Sequence, residues 1–294
     1  MMRRILIIIG VIWFEAARVL AAAPPSVVYE PADSVIIVRL LAEGRAAADS
    51  LETPGQLALF YAHRFLDRPY VAHTLEGFPD GERLIVNTRQ LDCTTLVETV
   101  TALTWCTQRR LSTFADYCEV LRQLRYRQGH LDGYPSRLHY FSDWIADKTD
   151  MGFVSEVQQQ HAPFTATQRL RIDYMSTHPQ SYAALKRHPR MTGVIARQEQ
   201  ALSGRSFRYI PKSQVLDTPA MRRAVHNGDI IAITTSKRGL DIAHLGFALW
   251  RSDGLHLLNA SMIHKKVVAE PMTLGQYLSK HPSHTGIRVI RMKK

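Results

Sequence analysis

The apolar residues of this 294-residue chain change their spacing at Asn227-Gly228. Before that pair they recur at helical intervals; after it they alternate. Residues 35–48, 56–66 and 114–124 each set apolar side chains three and four positions apart, which lines one face of a helix. Residues 180–186 and 193–202 read the same way, and 138–146 reads as a short aromatic helix. Leu84-Ile85-Val86 is a short strand-like run, and 168–174 alternates. Beyond the turn pair, residues 229–234, 244–250, 255–258, 265–268 and 286–292 all carry strand signals. Helices first and an antiparallel meander afterwards make the expected class α+β. Residues 24–33 hold several prolines and read as an exposed lead-in, and 126–137 as a loop broken by Gly129, Gly133 and Pro135. One domain over 24–294 is expected, helical over 24–150 and β-rich over 225–294.

The N-terminus reads as an export signal over residues 1–23. Arg3 and Arg4 precede an apolar stretch, residues 5–14, and Ala21-Ala22-Ala23 offers a small-residue cleavage site before Pro24. An amphipathic helix that is kept is the other reading of this stretch, since Glu15 and Arg18 interrupt it. No twenty-residue apolar span follows, so stable membrane insertion is not expected. With 46% hydrophobic residues the chain can build a real core. The formal net charge of +11 suits an anionic partner, but no long Lys/Arg block or aromatic–basic motif points to nucleic acid.

Leu91-Asp92-Cys93-Thr94-Thr95-Leu96-Val97-Glu98 places a cysteine directly after an aspartate and at the head of an apolar helical run. Asp92 fits an N-cap. Unpaired N–H groups and the positive end of the helix dipole favour a thiolate there, which would make Cys93 a nucleophile near neutral pH. A buried cysteine packing as a small hydrophobe is the bland alternative. Cys106 and Cys118, on expected neighbouring helices, either bridge or remain free buried thiols; the second reading is preferred.

A cysteine hydrolase needs a base and a polar group to orient it. His244 opens an expected strand in Asp241-Ile242-Ala243-His244-Leu245-Gly246, where Gly246 leaves room for another backbone. Asn259 lies on the next strand and can face His244 if the register is right, holding one imidazole tautomer. A solvated or core histidine is the alternative, and 13 histidines make coincidence easy. His130 and His139 flank a loop without an evident third ligand, so no metal site is expected.

Asp92-Cys93-Thr94, His244-x-Gly246 and Asn259-Ala260-Ser261, in that order, resemble the NlpC-type, papain-like cell-wall cysteine peptidases. The closer resemblance is to one branch, the N-acetylmuramoyl-L-alanine amidase-like family. Its matching stretches include Pro69-Tyr70-Val71-Ala72, Val86-Asn87, Tyr126-Arg127, Ser136-Arg137-Leu138-His139-Tyr140, Met175-Ser176-Thr177-His178-Pro179 and Tyr209-Ile210-Pro211-Lys212. The resemblance implies a catalytic cysteine at a helix N-terminus packed on an antiparallel sheet, with extra N-terminal helices and insertions.

The resemblance makes Cys93 the nucleophile, His244 the base and acid, and Asn259 the third residue, where many relatives have histidine; Ser261 is the alternative. It implies a substrate wall of Ser136, Arg137, His139, Tyr140 and Trp144. A helix burying Leu138, Tyr140 and Trp144, with Arg137 paired to Asp143, is the competing reading. The implied reaction is cleavage between the lactyl group of N-acetylmuramic acid and L-alanine in peptidoglycan or muropeptides, in the periplasm and without a cofactor. Stem-peptide cleavage and non-catalytic wall binding are the rivals. The oligomeric state is left open.

Overall fold

The computed structural model describes residues 27–76, 78 and 81–294, so the export signal expected over 1–23 lies outside the described residues. Ten α-helices, five short 3-10 helices and ten strands occur among them. The helices are α1 (Pro31–Ala47), α2 (Pro54–Arg64), α3 (Cys93–Gln108), α4 (Phe114–Arg125), α5 (Phe141–Asp150), α6 (Tyr174–Thr177), α7 (Ala183–Arg187), α8 (Arg190–Leu202), α9 (Pro219–Ala224) and α10 (Leu274–Ser279). The strands are β1 (Val27–Val28), β2 (Leu84–Ile85), β3 (Val154–Val157), β4 (Ala166–Arg169), β5 (Ser206–Pro211), β6 (Ile230–Thr235), β7 (Ile242–Arg251), β8 (Gly254–Ser261), β9 (Lys266–Ala269) and β10 (His284–Met292). The class is mixed α+β, with the helices of the first half packed on an antiparallel sheet.

The large sheet runs β4-β5-β10-β6-β7-β8-β9, and β3 also pairs with β10. Strands β6 to β9 are the expected meander. Strand β10 departs from it: it returns across the sheet to lie between β5 and β6, with Ile287 opposite Ile233 on one side and Ile210 on the other. The alternation in residues 286–292 gave the strand but could not give its neighbours.

Helix α3 is apolar or hydroxylated on nearly every face. Only a helix enclosed by other elements tolerates that pattern; α1, α2, α4, β7 and β8 all pack against it. Its six threonines are poor helix formers because their χ1 is restricted. Burial outweighs that cost, and Thr104 returns its hydroxyl to the Val100 carbonyl at 2.8 Å. Glu98, also on α3, is 2% exposed. It is held by Arg125 of α4 at 2.7 Å, whose guanidinium also donates to the Ile85 carbonyl at 2.6 Å, so one buried ion pair ties α3, α4 and β2 together.

Two local expectations change. Residues 24–33 are not merely a lead-in: Val27–Val28 pairs in parallel with Leu84–Ile85, and α1 starts at Pro31, where a missing N–H costs nothing. Asp33 is buried and accepts from the Thr88 N–H and hydroxyl, partners 55 positions away that no local pattern reveals. The aromatic helix begins at Phe141 rather than 138, because Leu138 donates its N–H to the Arg125 carbonyl in an extended segment. Cys106 and Cys118 are both free and buried, without a bridge.

Candidate active site

Asp92 caps α3. Its carboxylate accepts from the Thr95 N–H at 2.8 Å, and the Thr95 hydroxyl accepts from the Asp92 N–H at 2.9 Å, a reciprocal box that leaves Cys93 as the first helical residue. The Cys93 sulfur is turned toward β7. The Leu245 backbone N–H, the Thr94 hydroxyl and the Cys93 N–H favour its anion. Burial and the Asp92 carboxylate act more strongly in the other direction and push the thiol up to about 12. The expected resting thiolate is therefore not what this environment favours. A helix start supplies only a partial charge, which loses here to the removal of water and to a full negative charge one residue away.

His244 directly precedes Leu245 on β7. Its Nε2 donates to Asn259 Oδ1 at 2.9 Å. Asn259 is fully buried on β8 and donates from Nδ2 to Glu270 Oε1 at 3.0 Å. Glu270 follows β9 and is 1% exposed; its other oxygen lies 3.1 Å from His264 Nε2. A carboxylate only accepts. The amide nitrogen must therefore face Glu270, the amide oxygen must face the histidine, and Nε2 must carry the proton. That leaves the lone pair on Nδ1. Burial lowers the His244 pKa, the Asn259 bond and the Glu270 and Asp92 carboxylates oppose this, and His281 adds to the lowering. Ser261, the alternative third residue, instead accepts from the His264 N–H at 3.3 Å.

The strands meet closely at Gly246. A Cβ there would lie 2.7 Å from the Leu258 carbonyl oxygen, so only glycine fits between β7 and β8. Tyr277 of α10 stacks on His244 with ring centroids 6.5 Å apart, and His281 and His284 continue the stack. His284 is pushed down to about 4 by burial and by the neighbouring His281, His244, Lys237 and Lys212. Burial raises the hydroxyls of Tyr70 and Tyr277, Tyr277 to about 12. Neither Glu270 nor the Tyr277 stack was singled out from the sequence. The one local signal for Glu270 is a lone acid closing the apolar run Val267-Val268-Ala269 before Pro271.

A cleft of about 410 Å³ reaches Asp92 and Thr94, on either side of Cys93. Arg137, His139, Glu76, Tyr134 and Tyr182 form part of its wall. Of the five expected wall residues, then, Arg137 and His139 line it. Arg137 is paired not with Asp143 but with Glu76 at 2.6 Å and Glu82 at 3.5 Å; Asp143 pairs with Arg127. Burial, followed by Arg137, lowers His139 to about 3, and His139 Nε2 donates to the Tyr134 carbonyl at 2.9 Å. Ser136 closes its own turn onto Gly133, Tyr140 donates to Glu199 at 2.6 Å, and Trp144 is 1% exposed against Phe141. These three do not line the cleft. Among the described residues no group of three or more His, Cys, Asp or Glu is placed to hold a metal ion, and no helix is long and apolar enough to cross a membrane.

Solved structures resemble this chain closely. An N-acetylmuramoyl-L-alanine amidase from Bacteroides uniformis is 42% identical with a TM-score of 0.76, over 82% of this chain and 99% of that one. A Bacteroides fragilis protein carrying a provisional xylanase name is 43% identical with a TM-score of 0.74, over 80% of this chain and all of the other. A Legionella pneumophila protein at 19% identity and a TM-score of 0.67 shares the fold. Comparison with curated proteins returned no match. The family model described as N-acetylmuramoyl-L-alanine amidase-like matches residues 61–287, and the chain belongs to that family of cell-wall hydrolases.

Proposed function

We propose that the protein is an exported cysteine amidase that hydrolyses the bond between the lactyl group of N-acetylmuramic acid and L-alanine, with Cys93 as nucleophile, His244 as base and acid, and Asn259 orienting His244. The papain-like, NlpC-type arrangement is part of this reading. It is carried by one observation: the chain Glu270–Asn259–His244 leaves the imidazole lone pair on Nδ1, while the next residue, Leu245, presents its N–H to the Cys93 sulfur.

Because Cys93 rests as a thiol and His244 as a neutral imidazole, the proton moves from sulfur to Nδ1 as the sulfur attacks the lactyl carbonyl carbon. The oxyanion that forms is met by the N–H groups at the start of α3. The carbon–nitrogen bond then breaks and His244 gives its proton to the alanine nitrogen. Water attacks the thioester with His244 again as base. The products are a muramic acid carboxylate and a free peptide amine, and the thiol is restored.

Glycoside cleavage needs two carboxyl groups flanking the bond. The cleft acids Glu76, Asp92 and Glu98 are committed to Arg137, to the α3 cap and to Arg125. The test is incubation with muropeptides and mass spectrometry of the products. Release of intact stem peptide from the sugar supports the reading; cleavage within the stem, full activity of a Cys93→Ala variant, or sugar–sugar cleavage overturns it.

A further inference from the structure

We infer that Glu270 is a positioning residue of the reaction, acting through Asn259 to hold the His244 proton on Nε2. This rests on the reading of Cys93 and His244 as the reacting pair. A primary amide has two orientations of nearly the same shape, differing by exchange of oxygen and nitrogen. With its nitrogen toward His244, Asn259 would donate to Nε2. The ring proton would then sit on Nδ1, the atom to which the proposed mechanism sends the thiol proton. One amide flip therefore separates a working base from a blocked one.

Asn259 itself cannot choose between the two. Its described side-chain partners are His244 on one side and Glu270 on the other. Glu270 decides because a carboxylate accepts and never donates. A flipped amide would bring its oxygen against the carboxylate about 3 Å away, between two side chains almost fully shielded from solvent, an arrangement that costs more than a missing hydrogen bond. Glu270 is itself held rigidly. Its N–H donates to the Leu257 carbonyl at 2.8 Å, its carbonyl accepts from His256 Nδ1 at 2.9 Å, and its second oxygen meets His264. Its charge has a second effect: it favours the imidazolium that forms when the thiol gives up its proton. A carboxylate with 1% exposure is costly to keep.

The experiment compares wild type, Glu270→Gln, Glu270→Ala, Asn259→Ala and the double variant Glu270→Ala/Asn259→Ala. The His244 ring nitrogen chemical shifts, read by NMR on free protein, report the tautomer without substrate. The Nε2–H form is expected in wild type, with a clear Nδ1–H fraction in Glu270→Ala. On turnover, Glu270→Ala is expected to lose kcat about ten- to a hundredfold with KM little changed, the scale for losing a group that orients an imidazole. Glu270→Ala should cost less on the Asn259→Ala background than in wild type, because its hold on the amide is already gone there and only its charge remains to be lost. The acid limb of kcat should move to lower pH in both Glu270 variants, because a nearby negative charge is gone. Glu270→Gln keeps the shape and reads the same quantities if Glu270→Ala does not fold. An unchanged Nε2–H spectrum in the Glu270 variants overturns the proposal, as does a loss in the double variant equal to the two single losses combined. Failure of the wild type to cleave muropeptides would instead strike the proposed substrate and leave the tautomer result standing.

Discussion

His244 donates to Asn259 across 2.9 Å from a neighbouring strand, beyond the point where the two strands stop pairing. The β7–β8 ladder runs from Arg251 opposite Gly254 to Phe247 opposite Leu258 and ends there. Past that end β7 keeps its pairing with β6, a register shift falls next to His244, and β8 pairs onward with β9. The hairpin therefore opens at the residues that face the start of α3. A side-chain bond replaces backbone pairing at the position where the sulfur approaches Leu245.

Asn259→Ala removes the acceptor of that bond and frees the imidazole to rotate and exchange tautomers. Loss of kcat by about ten- to a hundredfold is expected, again on the scale of an orienting partner, while substrate binding in the cleft is little affected. Steady-state kinetics on muropeptides would check it. An unchanged kcat would remove Asn259 from the site.

Cys93 alkylation should be slow at neutral pH and rise through the alkaline range, since the thiol is held near 12. Iodoacetamide labelling followed by mass spectrometry at a series of pH values tests this. A plateau of fast labelling at pH 6 would show a resting thiolate and a different starting state. Cys93→Ala should abolish hydrolysis.

The acid limb of kcat/KM should lie below the ordinary histidine value of 6.5, because His244 must be neutral to act and burial lowers its pKa. A limb at or above 6.5 would contradict the burial of the ring.

Stability should fall on acidification in the same direction for a different reason. His139 and His284 are held neutral, down to about 3 and about 4, whereas the unfolded chain takes up their protons near 6.5. Between those limits the unfolded state binds more protons, so stability is present above 6.5 and is lost as the pH drops through the window. Melting temperatures from pH 7 to pH 4 would show the decline, and a His139→Gln variant should flatten part of it.

Arg125→Met should destabilise the fold by about 3–5 kcal/mol in urea unfolding, because it strands the buried Glu98 carboxylate without its counter-charge. The loss should shrink in Arg125→Met/Glu98→Gln, where no charge is left behind. Equal losses in both would place the effect in packing rather than charge.

Much of the helix and strand content was legible in spacing alone, because one-sided burial imposes a period on each element. The placement of Cys93 at a helix start was legible for a similar reason: Asp92 caps locally, three residues from Thr95. Strand β10 was legible as a strand but not as the neighbour of β5 and β6, since alternation records a buried face and says nothing about which edge is shared. Trp144 and Tyr140 were open between cleft and core, because an aromatic side chain serves either. Their partners Phe141 and Glu199 settle them inside.

The order and chemistry of Asp92-Cys93, His244-x-Gly246 and Asn259 are properties of the sequence by itself, fixed by residue type and local spacing. The protonation of Cys93, the counter-ions of Arg137 and the link from Asn259 to Glu270 were decided only by tertiary structure. Each depends on which charges and how little water surround a group, and those surroundings come from segments far apart along the chain and brought together by folding.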